Sequence, residues 1–257
     1  MERYISLCIP HYNNSNYIND LLENTIDDDR INEIIICDDR SYDNERKNLI
    51  KLVQNLNLKF DKIKLYLNNN NIGCYHNKLY TLSKCSNEWA CLIDSDNIIN
   101  KNYIDILYLF NNWNDNLIYA PMWAKTFKDN LQHVNSPGLN YSQFKNQYID
   151  SKKYIELFES NNNINFKCLI NTCNYFLPVK KYINIMKKYN YVRYKIDCLD
   201  SNVLFSDWIL NNNKVYIVEN LIYKHRLHNN SNYILSNSKK YSVEVENNIL
   251  NKLKNLE

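Results

Sequence analysis

The sequence predicts an α/β protein built on a mainly parallel sheet that is flanked by helices and carries a smaller subdomain. Short apolar runs alternate with helical patterns across the first half, and such alternation implies right-handed crossovers and a sheet covered on both faces. Polar clusters directly follow the apolar runs, where ligands of such sheets bind. The length of 257 residues suits one large domain rather than two separate ones. We therefore expect a single domain over residues 1–257, with a first half at 1–97, a second half at 98–231 and a C-terminal helix at 232–257.

Four strands and three helices are predicted in the first half. The strands cover residues 4–10, 33–37, 63–67 and 90–93, and the helices between them cover residues 17–24, 43–55 and 75–83. Each predicted strand is an apolar run bounded by turn-forming residues, whereas apolar positions recur every three or four residues in the helices. The strand ends carry the polar segments 10–13, 38–39, 68–73 and 94–96. Because parallel strands end at one edge of a sheet, we expect these segments to lie on a single rim.

The second half is less regular. A strand is predicted at residues 117–125, a loop-rich insertion at 130–148, a helix at 152–160 and an apolar stretch at 175–177. Helices at 180–189 and 200–210 precede strand candidates at 214–218 and 221–224. The C-terminal helix has an apolar stripe made of Val243, Ile249, Leu250, Leu253 and Leu256. Such a stripe usually docks on its own domain, and a homodimer contact is the alternative.

Composition excludes a protein that works through a global charge. The net charge is +3, with 31 basic and 28 acidic side chains, so neither nucleic acid nor an anionic membrane is an expected partner. Binding must then depend on a local site. Because the chain has only 2 glycines, asparagine is expected to adopt the left-handed turn conformations, particularly at residues 68–71 and 211–213.

The cysteines, 8 in number, are expected to be reduced. Cys8, Cys37 and Cys91 fall inside apolar strands, where a thiol behaves as a small hydrophobic group. Cys168 and Cys173 lack the further ligands of a structural zinc site. The N-terminus enters a strand without the apolar region of a signal peptide, and no apolar stretch approaches the roughly 20 residues of a membrane span. We therefore expect a cytoplasmic protein that is soluble or peripherally attached.

Asp94 and Asp96 are the most informative pair of polar residues. They directly follow the predicted strand at 90–93, and carboxylates at positions i and i+2 beyond a strand end point toward one place outside the sheet. Mg²⁺ and Mn²⁺ prefer such oxygen ligands together with phosphate oxygens and water. The pair therefore indicates a metal–diphosphate site. Its alternative is an ordinary turn or helix cap, which is the commoner role of an isolated Asp-x-Asp triplet.

Four motifs, taken in order, give the chain its resemblance to a known family. They are SLCIPHYN at residues 6–13, EIIICDDRS at 33–41, NIGCYHNK at 71–78 and DSD at 94–96. Together they resemble the family-2 glycosyltransferases of the GT-A fold, which use nucleotide-sugar donors and carry an Asp-x-Asp metal motif. The resemblance is strongest over residues 4–97 and continues more weakly to about residue 231. It implies a Rossmann-like sheet with a nucleotide-sugar-binding half at 1–97 and an acceptor half at 98–231.

The resemblance implies a site for a nucleotide sugar, with a UDP-type donor favoured. Tyr12 would pack against the base, and Asp38 or Asp39 would accept a hydrogen bond from the uracil or the ribose. Capping of the following helix is the alternative role for one of these two aspartates. Asp94 and Asp96 would bind Mn²⁺ or Mg²⁺, which stabilises the diphosphate as a leaving group. Further donor contacts are implied at Pro10, Asn13, Asn71, Gly73, Asn77, Lys78, Asp94 and Ser95.

The acceptor half is implied to supply a general base. Asp200 lies where inverting members of the family carry the carboxylate that takes the proton from the acceptor hydroxyl, with Asp197 and Asp207 as substitutes. A cap of the helix at 200–210 is a nearly equal alternative for Asp200. In the segment that follows, Arg226 would bind phosphate oxygens and His228 would be a third metal ligand.

Three aromatic residues of the acceptor half have two possible roles. Trp123, Trp208 and Tyr175 are either faces for sugar rings or residues of the core, and the core is the commoner place for any one of them. The acceptor itself is expected to be a hydroxyl on a glycan, a protein or a lipid-linked group.

Three positions depart from the family pattern. His11 replaces a small polar residue, Asn77 stands closer to Gly73 than is usual, and Leu199 stands where an acidic residue usually precedes the base. The last departure keeps open a non-catalytic nucleotide-sugar-binding or carbohydrate-binding module. A sugar-phosphate nucleotidyltransferase is a further alternative, but residues 10–13 lack the glycine-rich phosphate loop that it needs. The favoured function is a metal-dependent, inverting glycosyltransferase.

Overall fold

Eight strands form one sheet in the computed structural model, which describes residues 3–128, 133–134, 139–160, 174–229, 231 and 235–255. The strands are β1 (Ile5–His11), β2 (Ile31–Asp38), β3 (Ile63–Leu67), β4 (Trp89–Leu92), β5 (Leu117–Phe127), β6 (Tyr148–Ile149), β7 (Tyr175–Pro178) and β8 (Lys214–Arg226). Their order across the sheet is β3-β2-β1-β4-β7-β5-β8-β6.

Most of the described strands run in one direction. β1 is parallel to β2 and β4, and β2 is parallel to β3. β7 is antiparallel to both β4 and β5, so β5 regains the direction of β4, and β8 is parallel to β5. β6 is antiparallel to β8. The predicted mainly parallel sheet is therefore confirmed.

Helices cover both faces of this sheet. They are α1 (Ile18–Leu22), α2 (Asp43–Phe60), α3 (Cys74–Ser83), α4 (Lys101–Tyr108), α5 (Ser151–Glu159), α6 (Val179–Met186), α7 (Arg193–Ile196), α8 (Asp200–Ile209) and α9 (Ser242–Lys254). Short 3₁₀ turns lie at Ser15–Tyr17, Ser142–Phe144 and Asn237–Tyr241. Side-chain caps begin two of the helices: Asn100 accepts the backbone N–H of Tyr103 at 3.2 Å, and Asp150 accepts that of Lys153 at 3.0 Å.

The residues of β1 alternate between two hydrophobic cores. Leu7 and Ile9 belong to the core that α1, α2 and α4 cover, whereas Cys8 belongs to the core that α3, α5, α6, α8 and α9 cover. Both faces of the sheet are therefore buried. This explains why the strands are nearly continuous apolar runs in the sequence rather than alternating ones.

Three elements differ from the sequence prediction. The two strand candidates at 214–218 and 221–224 are one strand, β8, whose backbone passes Asn220 with a φ of 64° and shifts its register against β5 between Pro121 and Trp123. The sequence pattern does not predict α4 or α7. α7 is a single turn of 4 residues, which is too short to show the apolar repeat that identifies a helix.

Asparagine adopts the positive φ of a left-handed turn in only one of the two segments where this was predicted. Asn212 has a φ of 57°, as expected for the segment 211–213, but residues 68–71 have no positive φ. In that loop Gly73 adopts the left-handed conformation instead, with a φ of 87°. The prediction for residues 68–71 is therefore wrong, because the one glycine nearby occupies the strained position.

The C-terminal helix was predicted over residues 232–257 but covers Ser242–Lys254, after a 3₁₀ turn at Asn237–Tyr241. It docks on its own domain, as predicted. Val245, Ile249 and Leu253 are buried in the core on the α3 face, and Leu250 packs against it. Val243 is 66% exposed and is not part of the buried stripe, and Leu256 lies outside the described residues. Among the helices of the described ranges, none combines the length and the apolar character that a bilayer crossing requires.

The cysteines that the structure describes are free thiols. Cys8, Cys37 and Cys91 are buried in strands, as predicted. Cys168 and Cys173 lie outside the described residues, as do residues 130–132 and 135–138 of the predicted insertion at 130–148. The described part of that insertion contains the 3₁₀ turn at Ser142–Phe144 and the start of β6.

Candidate active site

The ends of the first four strands lie side by side at one edge of the sheet. His11 at the end of β1 pairs with Asp38 of β2, and Asp38 pairs with Leu67 of β3. Leu92, the last residue of β4, pairs with Cys8 of β1. The polar segments that follow these strands therefore meet on one rim, as the sequence predicts.

Asp38 is a buried centre of this rim. Its carboxylate hydrogen-bonds His11 Nδ1 at 3.0 Å, accepts the N–H and the hydroxyl of Ser41, and lies 3.4 Å from Arg46 Nε. Burial acts to raise the pKa of Asp38, but the hydrogen bonds from His11 and Ser41 outweigh it, so the pKa is lowered. Because the side chain is fully buried, Asp38 ties β2 to the turn after β1 and presents no oxygen to solvent.

Asp39 fixes the loop that follows β3. One carboxylate oxygen accepts the N–H of Ile72 at 2.7 Å, and the other accepts that of Gly73 at 2.8 Å. The amide of Asn68 donates to the same carboxylate at 3.1 Å. Asp38 and Asp39 thus both have partners inside the chain, and a contact of either one with a nucleoside stays a prediction.

Gly73 lets this loop approach α7 closely. A Cβ at this position would lie 2.7 Å from Arg193 Nε and 3.2 Å from Asp197 Oδ1, and the positive φ is one that other residues rarely adopt. The guanidinium of Arg193 donates to the backbone and side-chain oxygens of Asn71. Arg193 therefore joins the second half of the chain to the loop of the first half.

Tyr12 is exposed at the rim, next to a second tyrosine. Tyr12 is 43% exposed and Tyr42 is 71% exposed, and their ring centroids are 6.4 Å apart. Asn13 forms the turn beneath them with a φ of 55°, and its side-chain oxygen accepts the N–H of Tyr42 at 2.9 Å. The pair presents aromatic surface where the sequence predicts a base.

Three further predicted donor contacts lie within the body of the rim. Asn77 is buried, and its amide donates to the carbonyl of Cys37 at 3.0 Å. Ser95 is buried in the turn after β4. Pro10 is a residue of β1 and pairs with Cys37. Each of these residues helps to shape the rim, and a direct contact with the donor stays a prediction for all three.

Lys78 brings Asp94 and Asp200 together. Its ammonium nitrogen lies 3.0 Å from Asp94 Oδ1 and 2.7 Å from Asp200 Oδ2. The side chains of Lys78 and Asp200 are only 7% and 10% exposed, and that of Asp94 is 30% exposed. Burial raises the pKa of Asp94, and the charge of Lys78 opposes this shift. An acid from the first half of the chain and an acid from the second half therefore share one buried cation.

Asn174 holds the turn after β4 from the other side. Its side-chain oxygen accepts the N–H of Asp94 at 2.9 Å, and its amide nitrogen lies 3.4 Å from Asp94 Oδ2 and 3.2 Å from the hydroxyl of Tyr223. Asn174 directly precedes β7, the antiparallel strand beside β4. This contact orients the Asp94 backbone, and the sequence offered only an unremarkable polar residue before an apolar run.

Asp96 pairs with His228, which follows β8. His228 Nε2 lies 2.9 Å from Asp96 Oδ2, and His228 Nδ1 is buried without a hydrogen-bond partner. Burial acts to raise the pKa of Asp96, but the hydrogen bond to His228 and the nearby His225 lower it. Burial also lowers the pKa of His225, which favours its neutral form. The structure thus brings together Asp96 and His228, two of the three predicted metal ligands.

The donor set of Asp94, Asp96 and His228 fits a divalent cation by its chemistry. Two carboxylates and an imidazole suit Mn²⁺, and carboxylates alone suit Mg²⁺. Within the described ranges, no three acidic, histidine or cysteine side chains converge as a preformed metal cluster. Asp94 instead faces Lys78, and Asp96 faces His228. A bound cation would therefore have to compete with these two internal partners.

Arg226 is buried behind the site rather than exposed toward it. Its guanidinium lies over the rings of Tyr17 and Phe127, at 4.1 and 4.6 Å from their centroids. It pairs with Asp20 at 2.6 Å and donates to the carbonyl of Asp96 at 3.0 Å. With a side chain only 2% exposed, Arg226 braces the Asp96 turn in this conformation. The predicted contact with phosphate oxygens would require Arg226 to leave these partners.

The substitutes for the base have different surroundings. Asp197 lies beside Arg193 and Gly73, and burial raises its pKa while the charge of Arg193 opposes the shift. Asp207 is fully buried on α8 and accepts the hydroxyl of Tyr191 at 2.7 and 2.9 Å. Burial raises the pKa of Asp207 to about 7. Asp207 is therefore a core residue, and Asp200 is the acid of α8 that reaches the rim.

The three aromatic residues proposed for sugar binding also differ in how far they are buried. Trp208 and Tyr175 have no exposed surface and belong to the core, so a sugar ring cannot stack on either of them. Trp123 is partly buried on β5, with Lys125 Nζ 4.8 Å from its ring centroid. Only Trp123 of the three retains surface for a ligand.

The architecture defines a class of protein. A mainly parallel sheet with helices on both faces is the arrangement of the GT-A glycosyltransferases, whose solved structures match this chain. The profile of glycosyl transferase family 2 matches residues 6–174. The chain belongs to this family.

Known proteins of the class share the fold at low sequence identity. The structure of S. aureus TarS 1–349 in complex with UDP-GlcNAc has a TM-score of 0.65 and 18% identity, and the match covers 97% of this chain and 66% of TarS 1–349. A mannosyltransferase of Pyrobaculum calidifontis in complex with GDP-Man and Mn²⁺ has a TM-score of 0.56 and 9% identity, over 90% of this chain and 59% of that one. At such identities these matches show the fold alone.

A relative with higher identity covers less of the chain. The uncharacterized glycosyltransferase MG060 of Mycoplasma genitalium is 33% identical over 109 residues, which are 40% of this chain and 35% of the relative. The chain thus spans about one third of that protein in the match. The activity, substrates and partners of the whole protein are therefore matters for proposal.

Proposed function

We propose that this chain binds a nucleotide sugar of the uridine-diphosphate type together with Mn²⁺ or Mg²⁺, and transfers the sugar to a hydroxyl acceptor with inversion. One observation carries the proposal: Asp94 of the donor half and Asp200 of the acceptor half meet on Lys78 at the carboxyl ends of the strands. Ligands of such sheets bind at that edge. A leaving-group site and a candidate base are thus next to each other.

Each residue of the rim has a distinct part in this proposal. The exposed rings of Tyr12 and Tyr42 would receive the base. Asp94, Asp96 and His228 would hold the cation, which, when bound, neutralises the diphosphate leaving group. Asp200 would accept the proton of the acceptor hydroxyl as its oxygen attacks the sugar.

The same proposal assigns a role to each part of the chain. Residues 1–97 would form the donor half, 98–231 the acceptor half and 232–257 a C-terminal segment that covers one face, all within one domain. The acceptor would be a glycan, a protein or a lipid-linked hydroxyl. A uridine nucleotide is favoured because the aligned TarS structure contains UDP-GlcNAc, and a cytoplasmic site is favoured because the described cysteines are free thiols.

Thermal unfolding with a panel of donors tests the binding step. We expect a UDP-sugar with Mn²⁺ to raise the melting temperature more than GDP-Man with Mn²⁺, because a ligand that binds only the folded state stabilises it. Asp96→Asn should remove the part of the shift that depends on Mn²⁺. Asp115→Asn is the matched control, since Asp115 is 70% exposed and pairs only loosely with Lys181 at 3.8 Å.

Release of nucleotide tests the transfer step. Wild-type protein incubated with the preferred donor, Mn²⁺ and an acceptor panel should release the nucleotide diphosphate, and more slowly without acceptor. Donor binding without any release would instead support the non-catalytic binding module. An equal thermal shift for Asp96→Asn and wild type would contradict the proposed cation site.

A further inference from the structure

Lys78 occupies a position that joins the two halves of the site. It lies on the buried side of α3 together with Tyr75 and Leu82, at the spacing of three and four residues that places side chains on one helix face. Such a position normally carries an apolar side chain. Here it carries an ammonium group within 3.0 Å of Asp94 and 2.7 Å of Asp200.

The burial of this charge needs a reason. A buried ammonium is costly unless it is paired, and it is kept where its pairing has a use. Its two acidic partners come from different elements, the turn after β4 and the start of α8. Lysine suits this place because its ammonium is a compact charge with three donors, which can serve two carboxylates at once.

The contact leaves the two oxygens of Asp200 in different environments. Oδ2 is buried and forms an ion pair with Lys78 Nζ at 2.7 Å, without an aligned hydrogen bond from the described residues. The remaining 10% exposure of the Asp200 side chain therefore does not come from that oxygen. A carboxylate held through one oxygen has a defined orientation for the other. General-base catalysis depends on such an orientation toward the proton that is transferred.

We propose that Lys78 is the positioning residue of the base: it holds Oδ2 of Asp200, so that Oδ1 takes the proton of the acceptor hydroxyl. This inference rests on the proposed function and names the atom that acts. As the acceptor oxygen bonds to the anomeric carbon, the bond from that carbon to the diphosphate oxygen breaks, and the diphosphate leaves with the electron pair. Lys78 itself neither gains nor loses a proton in this step.

A double-mutant cycle between Lys78 and Asp200 tests the proposal. Single-turnover rates at saturating donor and acceptor are measured for wild type, Lys78→Met, Asp200→Asn and the double variant. We expect Lys78→Met to lower the rate about 10- to 100-fold, since a displacement of about 1 Å can cost 100-fold. In the Asp200→Asn background the same change should have almost no further effect, because Lys78 acts through Asp200.

Two variants keep this experiment interpretable. Lys84→Met removes a charge just after α3, where Lys84 stacks on Tyr66 and Tyr80 away from the acids, and it should leave the rate unchanged. Where Lys78→Met does not fold by circular dichroism, Lys78→Gln takes its place, because it keeps a hydrogen-bond donor without the charge.

Two outcomes would overturn the positioning role while the proposed function stands. In one, removal of Lys78 raises the donor KM and leaves kcat unchanged, which would make Lys78 a contact of the donor only. In the other, the fold-decreases in rate caused by the Lys78 and Asp200 substitutions multiply in the double variant. This would show that Lys78 acts independently of Asp200. By contrast, a wild-type protein that releases no nucleotide from any donor would refute the proposed function first.

Discussion

The proposed donor half, residues 1–97, and the proposed acceptor half, residues 98–231, build their shares of the site in different ways. In the donor half, Asp38, Asp39 and Asp94 stand within two residues of the strand that positions them. In the acceptor half, Asp200 begins a helix and His228 follows the long strand β8, and His228 meets Asp96 across 132 residues of chain. The acids of the donor rim are thus placed by the strands that they follow, whereas those of the acceptor side depend on how distant elements pack.

The difference has a consequence for the effects of substitutions. On the donor rim, Asp38 and Asp39 each hold several groups of nearby loops, so a change there disturbs the local backbone. On the acceptor side, the ion-pair partner of Asp200 within the described residues is Lys78, so a change there is expected to alter chemistry more than folding.

Asp200→Asn gives the largest expected effect and tests the acceptor side. We expect kcat to fall about 10²- to 10⁴-fold, the usual contribution of a general base, while the affinity for the donor changes little. The measurements are single-turnover rates and donor titrations monitored by fluorescence. Asp207→Asn, a change of the same kind on the same helix, is the control. A large loss of donor affinity in Asp200→Asn would show that the two sides of the site are not separable.

Asp207→Asn tests the second acid of α8, which lies in the core. Its pKa is raised to about 7, so the folded state holds a proton that the unfolded state has lost above about pH 4. The stability from this group is therefore complete below pH 4 and is lost as the pH rises to 7, on the order of 2–4 kcal/mol. Chemical denaturation at several pH values should show this loss in wild type and not in Asp207→Asn.

The hydrogen-bond partner of Asp207 is Tyr191, which stays neutral in the pH range of this comparison. Burial raises the pKa of Tyr191, so its hydroxyl stays protonated and can donate to aspartate or asparagine alike. A stability difference between wild type and Asp207→Asn that is constant from pH 4 to 8 would contradict the raised pKa.

Gly73→Ala gives the smallest expected effect and tests the donor loop. A φ of 87° with a ψ of 160° is a conformation nearly restricted to glycine, which should cost about 1–3 kcal/mol with any Cβ, and the nearby Arg193 side chain would have to move. We expect the free energy of unfolding to fall by that amount in urea denaturation. Arg193→Ala with Gly73→Ala should recover only the part due to the side-chain contact. A full recovery would show that the backbone conformation itself costs nothing.

The parts of the site that could be predicted from the sequence are those that lie next to a strand end. The rim was predictable because each polar segment directly follows an apolar run, as Asp94 follows β4. The pairing of Asp96 with His228 was expected only from the family resemblance. The roles of Asn174, Arg193 and Asp20 were not predictable, since each depends on a contact across at least 80 residues of chain.

The internal partners of the polar residues could not be predicted from the sequence either. Arg226 was expected to face phosphate, and the structure buries it between Tyr17 and Phe127 with Asp20 as its partner. Trp208 and Tyr175 were candidates for a sugar platform, and both lie in the core. Aromatic and basic residues occur both on protein surfaces and in cores, so sequence pattern alone does not decide where a given one lies.

The α/β sheet with its polar strand ends on one rim follows from the order of apolar runs and helical patterns in the chain, because hydrophobic burial and backbone hydrogen bonding leave few ways to fold such an alternation. The position of Lys78 between Asp94 and Asp200 depends instead on tertiary packing, as does the arrangement in which His228 contacts the Asp96 carboxylate while Arg226 contacts its backbone carbonyl. The reason is physical: the pairing of charges depends on distances of a few ångströms between elements that are far apart in the chain.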